Sequence, residues 1–302
     1  MPLLDEPNPN GPRVRTKNVR APGFSVLLLA TSFALADEPP EMEEAERTVA
    51  GIMDNSFLVE EAYNQEKGVV QHIFTTFYGW SSRSGPDDEL WNLAFTQEWP
   101  VFSQTHQFSY TIPYSFLRLS GRSENGLGDI LLNYRLQAYF NPRSLTALAP
   151  RGSLVLPTGD KEALAGENTV GAQFNLPFST AIGDRWFVHA NAGLTYLPGA
   201  ASAQDRDLLH YNLGASAIYA LTRDLHVLVE WVGYWTQFGE PGVARDYEFT
   251  SLISPGLRTA FNFAGDSQLV VGLATPLGLT DSGPDVGVFL YVSFEHFFTG
   301  EN

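Results

Sequence analysis

Charged residues make up only 17% of this 302-residue chain. Seven of them fall on the more polar side of alternating stretches: Glu98, Asp129, Arg135, Arg151, Glu230, Arg258 and Glu295. An ionised group on one face of a strand needs water, a counter-charge or a permeant, because burying it alone is costly. The turn "NPRS" lies between the stretches that carry Arg135 and Arg151, so folding about it brings the two arginines together. Glu230 sits on a later stretch, expected across the molecule. Basic residues on one wall and an acid on the other would set up a transverse field that selects permeants by charge and dipole. The same side chains could instead pair with neighbours and fill the interior, and both readings stay open.

Other chemistry is thinner. Nucleophilic catalysis needs Ser, His and a carboxylate within hydrogen-bond reach. No G-x-S-x-G occurs, and the nearest grouping is Ser202, Asp205, Asp207 and His210 in one polar loop. The six His are scattered without a metal-binding spacing, and there is no Cys for a thiolate site or a disulfide. The acidic turns "GPDDE" and "TDSGPD" lack the dense alternating ligands of a calcium loop. No cofactor and no enzymatic activity are therefore expected. A net charge of −16 and a pI near 4.7 argue against nucleic acid as a partner.

The elements that must position the charges are strands. From Gly68 onward, period-two alternation recurs in twelve segments: Gly68–Gly79, Leu90–Trp99, Gln104–Leu117, Gly128–Phe140, Leu145–Leu156, Thr169–Ile182, Arg185–Leu197, Leu208–Leu221, Leu225–Phe238, Tyr247–Phe263, Gln268–Pro276 and Asp285–Phe298. Short connections such as "NPRS", "GD" and "TRD" alternate with long ones such as "RLSGRSENGL" and "PTGDKEALAGEN". No apolar run reaches the roughly 18 residues of a membrane helix, a test that tilted membrane strands escape. The apolar face is bracketed by aromatics: Trp91 and Trp99, Phe108 and Phe116, Trp186 and Tyr196, Tyr211 and Tyr219. Aromatics at strand ends with aliphatics between them form a lipid-facing girdle. The opposite face carries Gly, Ser, Asn and Gln, which would fill a soluble core poorly. The expectation is an all-β chain: a single transmembrane, antiparallel, up-and-down barrel of about 12 strands. Its short turns would be periplasmic and its longer loops extracellular.

The N-terminus reads as an export signal over residues 1–36. Arg13, Arg15, Lys17 and Arg20 precede the apolar "FSVLLLATSFALA", which ends on a small-x-small site. Residues 37–66 form an acidic segment, expected as a solvated periplasmic tail, although the apolar cluster "FLVEEAY" also fits a segment folded into the barrel as a plug. The barrel is assigned to 67–298 and a short tail to 299–302.

"GLGDILLNYRLQAYF" followed by "APRGSLVLPTGD" resembles the bacterial outer-membrane barrel family named for the meta-pathway of phenol degradation. The matching residues are Gly126, Gly128 and Asp129, then Leu156, Pro157, Thr158, Gly159 and Asp160; "FLVEEAYNQEKGVVQH" is similar to the start of such proteins. The resemblance implies a Gram-negative outer-membrane location and passage of small aromatic or apolar compounds.

The expected function is thus a passive outer-membrane channel for small molecules. The expected partners are the permeant, outer-membrane lipid with lipopolysaccharide, and the barrel-insertion machinery. A non-conducting barrel with a structural or partner-binding role is the alternative, and an outer-membrane lipid hydrolase a remoter one.

Overall fold

The computed structural model describes residues 51–52, 56–81, 88–119, 122–160, 165–201, 206–237, 247–264 and 267–298. Among them there is no helix. Twelve antiparallel strands follow one another round a closed barrel. They are β1 (Val69–Ser81), β2 (Asp88–Val101), β3 (Ser103–Leu119), β4 in three pieces (Arg122–Leu127, Ile130–Leu136, Tyr139–Asn141) and β5 in two (Thr146–Leu148, Arg151–Leu156). Then come β6 (Gly171–Ile182), β7 (Trp186–Ala201), β8 (Arg206–Ala220), β9 (Leu225–Thr236), β10 (Glu248–Asn262), β11 (Gln268–Ala274, Leu277–Gly278) and β12 (Val286–Phe297).

Each strand pairs with its neighbours in sequence, and β12 returns to pair with β1 from Val69↔Phe297 to Trp80↔Val286. Closure leaves no sheet edge, as lipid requires of a spanning sheet. The breaks inside strands have local causes. Pro150 and Pro276 lack an N–H for the ladder and sit in the gaps of β5 and β11. Gly128 fits against Pro113, where an added Cβ would come within 2.7 Å of the proline ring.

The alternation resolves in one direction. Phe74, Trp91, Leu93, Tyr134, Leu154, Phe174, Trp186, Tyr211, Val229, Leu257, Val288 and Leu290 are exposed on the outer surface. Gln71, Gln107, Asn133, Arg135, Ser179, Ser216, Glu230, Arg258 and Ser293 are buried on the inner one. Apolar-out and polar-in is the solution of a barrel in lipid, so the molecule is a transmembrane barrel. Toward the long-loop end the lining turns apolar: Val155, Leu197 and Leu208 pack together on one side. Val232 and Leu252 cluster with Phe77 on the other.

Two expectations change. The stretch Arg118–Leu127, expected as a long loop, is largely ladder, because Arg122–Leu127 pairs back on Tyr114–Leu119. The acidic segment 37–66, expected as a solvated tail with a folded-in plug as the other reading, has its last part inside the barrel: Ser56, Phe57, Val59, Glu61, Ala62, Tyr63, Asn64 and Gln65 are buried. The physical reason is that the inner wall offers buried charges and amides that the segment's backbone and side chains satisfy. The export signal, residues 37–50 and the tail 299–302 lie outside the described residues.

Candidate functional site

The inner segment is held at the short-turn end at both Gly51 and Asn64. Gly51 is near that end, where its carbonyl accepts a bond from the Gln268 amide at the start of β11. Asn64 reaches the β2–β3 turn through Gln104 O and Thr105 O, at 2.8 and 3.1 Å. Between them, residues 56–63 cross the lumen.

One wall receives the backbone. The Glu230 carboxylate of β9 accepts three successive main-chain N–H groups, from Phe57 at 3.1 Å, Leu58 at 3.0 Å and Val59 at 3.2 Å. Successive N–H groups converging on one anion form a nest, and charge-assisted bonds of this kind are the strong ones. Beside it the Ser56 and Ser216 hydroxyls lie 2.7 Å apart. The Phe57 ring packs 5.6 Å from Phe289 and 5.5 Å from Tyr291. Gly272 makes that seat, since a Cβ there would run into the ring.

The other wall receives a side chain. Arg151 Nε donates to both Glu60 oxygens at 2.8 and 2.9 Å, and Arg135 Nη1 lies 3.5 Å from the same carboxylate. Arg135 also donates to Asn64 Oδ1 at 2.8 Å and to the carbonyls of Glu61 and Tyr63 at 3.1 and 2.7 Å. Its charge is shared with Glu98, 3.7 Å away, which takes a bond from the Gln107 amide. Burial alone would push the Glu60 carboxyl up; Arg151 and Arg135, with hydrogen bonds from Arg151 and Asn175, outweigh it and hold the carboxyl below the usual range. Ser179 accepts the Ala62 N–H at 2.8 Å, and the Tyr63 hydroxyl donates to Leu145 O at 2.7 Å.

Of the seven candidate residues, Glu98, Arg135 and Arg151 thus come together, and Glu230 stands on another wall of the same lumen. Arg258 is buried on β10, in register with His226 of β9. Glu295 is half-buried near the short-turn end, in register with Gln71. Asp129 is used elsewhere: its two oxygens accept the N–H groups of Gly159 at 2.8 Å and Glu167 at 2.9 Å. Thr158 adds a bond to the Ile130 N–H at 2.9 Å, so the two motif stretches are one pinned loop base. In the polar loop considered for catalysis, Ser202 and Asp205 lie outside the described residues. Asp207 accepts from the Tyr196 hydroxyl and the Gly199 N–H, and His210 accepts the Gln237 N–H. Among the described residues no group of three or more His, Asp or Glu could hold a metal ion. Sequence reasoning did not single out Glu60, Asn64, Asn175 or Ser216. The one signal was the apolar-acidic cluster ahead of the first strand.

A family profile described as "Putative MetA-pathway of phenol degradation" matches residues 88–294. Among solved structures, the COG4313 outer membrane channel from Pseudomonas putida F1 is similar, with 14% identity, a TM-score of 0.59, and cover of 78% of this chain and 97% of that one. The β domain of the Bordetella autotransporter BrkA follows at 11% identity and a TM-score of 0.47, covering 78% of this chain and 100% of that one. No curated protein sequence matches the chain.

Proposed function

The chain belongs to the phenol-degradation MetA-pathway family of outer-membrane barrels, and from that premise we propose that it is a small-molecule channel closed at rest by residues 56–65. The observation that carries this reading is the double attachment of the segment, by its backbone to Glu230 and by its Glu60 carboxylate to Arg135 and Arg151. Every one of these ties runs through a side chain, whereas the wall is closed by backbone pairing of its strands. The segment is therefore the part that can yield without breaking the barrel.

The apolar lining of Val155, Leu197 and Leu208 at the long-loop end favours permeants with an apolar or aromatic body. The test is single-channel conductance of the refolded protein in a planar bilayer. Rare, brief openings of the native chain, and frequent ones once Glu230→Gln weakens the seat, support the channel. A bilayer silent for both, with folding confirmed by circular dichroism, favours a filled structural barrel.

A further inference from the structure

Arg135, Arg151 and Asn175 form one cross-strand row. Arg135 is the register partner of Arg151, and Arg151 that of Asn175. The three inward side chains, from β4, β5 and β6, converge on a single carboxylate: Arg151 reaches both Glu60 oxygens, Asn175 Nδ2 donates to one at 2.5 Å, and Arg135 lies 3.5 Å away. Arg135 and Asn175 are only 3% and 4% exposed, so this is a built, desolvated cradle. Two adjacent guanidinium groups repel unless anions lie between them. Glu98 stands 3.7 Å from Arg135 and supplies one negative charge. The second is brought in by the segment.

With the segment withdrawn, the row is one anion short. We propose that Arg135, Arg151 and Asn175 are a carboxylate-binding subsite, and that Glu60 occupies it as a tethered stand-in for a permeant with a single carboxylate. The inference rests on the channel reading above and adds a substrate class to it. Val155, two residues beyond Ser153 and four beyond Arg151 on the same inward face, begins the apolar lining toward the long-loop end. A molecule entering from there meets apolar wall first and the arginines next. The fitting permeant is a small monocarboxylic acid with an apolar or aromatic body. Its carboxylate takes the place of Glu60 on Arg151 Nε and Asn175 Nδ2, and the segment is released. An amide of the same shape leaves the guanidinium without its counter-charge and does not compete.

The tether gives Glu60 a local concentration in the millimolar range, so a free acid must be supplied at about 10 mM to displace it. The experiment compares benzoate with benzamide on the full chain in a planar bilayer, at constant ionic strength. Alongside it, calorimetry measures benzoate binding to Glu60→Ala and to Glu60→Ala with Arg151→Gln. The proposal expects benzoate to raise the open probability severalfold and benzamide to leave it unchanged. It also expects Glu60→Ala to bind benzoate about tenfold more tightly than the double variant. If benzoate and benzamide act alike on a channel that Glu230→Gln opens, and the two variants bind benzoate equally, the subsite is overturned while the channel stands. If every bilayer is silent with folding confirmed, the channel reading fails. Calorimetry then decides the subsite alone, tighter binding by Glu60→Ala supporting it and equal binding overturning it.

Discussion

Glu60 and Glu230 perform the same task in opposite directions. Glu230 is a wall carboxylate that takes hydrogen bonds from the segment's backbone; Glu60 is a segment carboxylate that takes them from the wall's arginines. The segment is thereby tied to both sides of the lumen by charge-assisted bonds, with the Phe57 ring set between Phe289 and Tyr291. Removing one tie leaves a buried charge on the other partner without its match, which costs more than the bond itself.

Glu230→Gln tests the backbone tie. Glutamine offers one carbonyl oxygen where the carboxylate offers two, so its amide meets an N–H of the 57–59 turn donor to donor. A loss of about 1.5–3 kcal/mol is expected. That corresponds to roughly a 10- to 100-fold rise in open probability in bilayers, with the barrel's circular dichroism unchanged. An unaltered open probability would show that Glu230 does not hold the segment.

Arg135→Ala combined with Arg151→Ala tests the basic wall. The pair removes two positive charges from the same patch of lining, while Glu98 and Glu230 remain. The open channel is expected to shift toward cations, read as a change in reversal potential under a salt gradient. An open channel with native selectivity would mean that the permeation path does not pass the arginines.

Acid should unseat the segment through Glu60. Its carboxyl is held below the usual range when seated, because of Arg151 and Arg135. Its contribution is therefore complete above the ordinary carboxylate value of about 4.3 and is lost as pH falls through the depressed seated value. Conductance should respond to Glu60 only below about pH 4.5. Glu98 faces Arg135 from β2 as well, so the reading is the difference between the native chain and Glu60→Gln. Identical acid responses in the two would remove Glu60 from the account.

Asp129→Ala should act on the extracellular loop and not on the lumen. It removes the acceptor for Gly159 and Glu167. The expected result is faster protease cleavage between residues 157 and 170 on intact cells, at an unchanged conductance. Altered selectivity instead would place Asp129 in the permeation path.

The strands were legible because lipid imposes a strict rule on every second residue. Segments such as Gly128–Phe140 and Leu225–Phe238 lie within a few residues of β4 and β9 for that reason. Arg122–Leu127 was not legible as a strand, since it pairs with β3 through residues too polar to show an apolar face. The same parity that turned Arg135 and Arg151 inward also turned Asp129 inward, and its carboxylate is taken up by backbone groups some 30 and 38 residues ahead. The inner segment has no period to detect. It is held by bonds to residues as distant as Glu230, and nothing in "VEEAY" distinguishes Glu60 from Glu61 before the arginines are in place.

The most direct test of the central claim is a reversible lock on the segment. The chain has no cysteine of its own, and the Ser56 and Ser216 hydroxyls lie 2.7 Å apart between segment and wall. Cysteines at the two positions would carry their sulfurs to where the hydroxyls now meet, within reach of disulfide formation. In Ser56→Cys with Ser216→Cys, single-channel recording should show a silent oxidised protein that begins to open when reductant is added, with each single variant indifferent to reductant. Equal conductance in the oxidised and reduced states, with the disulfide verified by mass spectrometry, would contradict the account: ions would then cross the barrel without the segment moving.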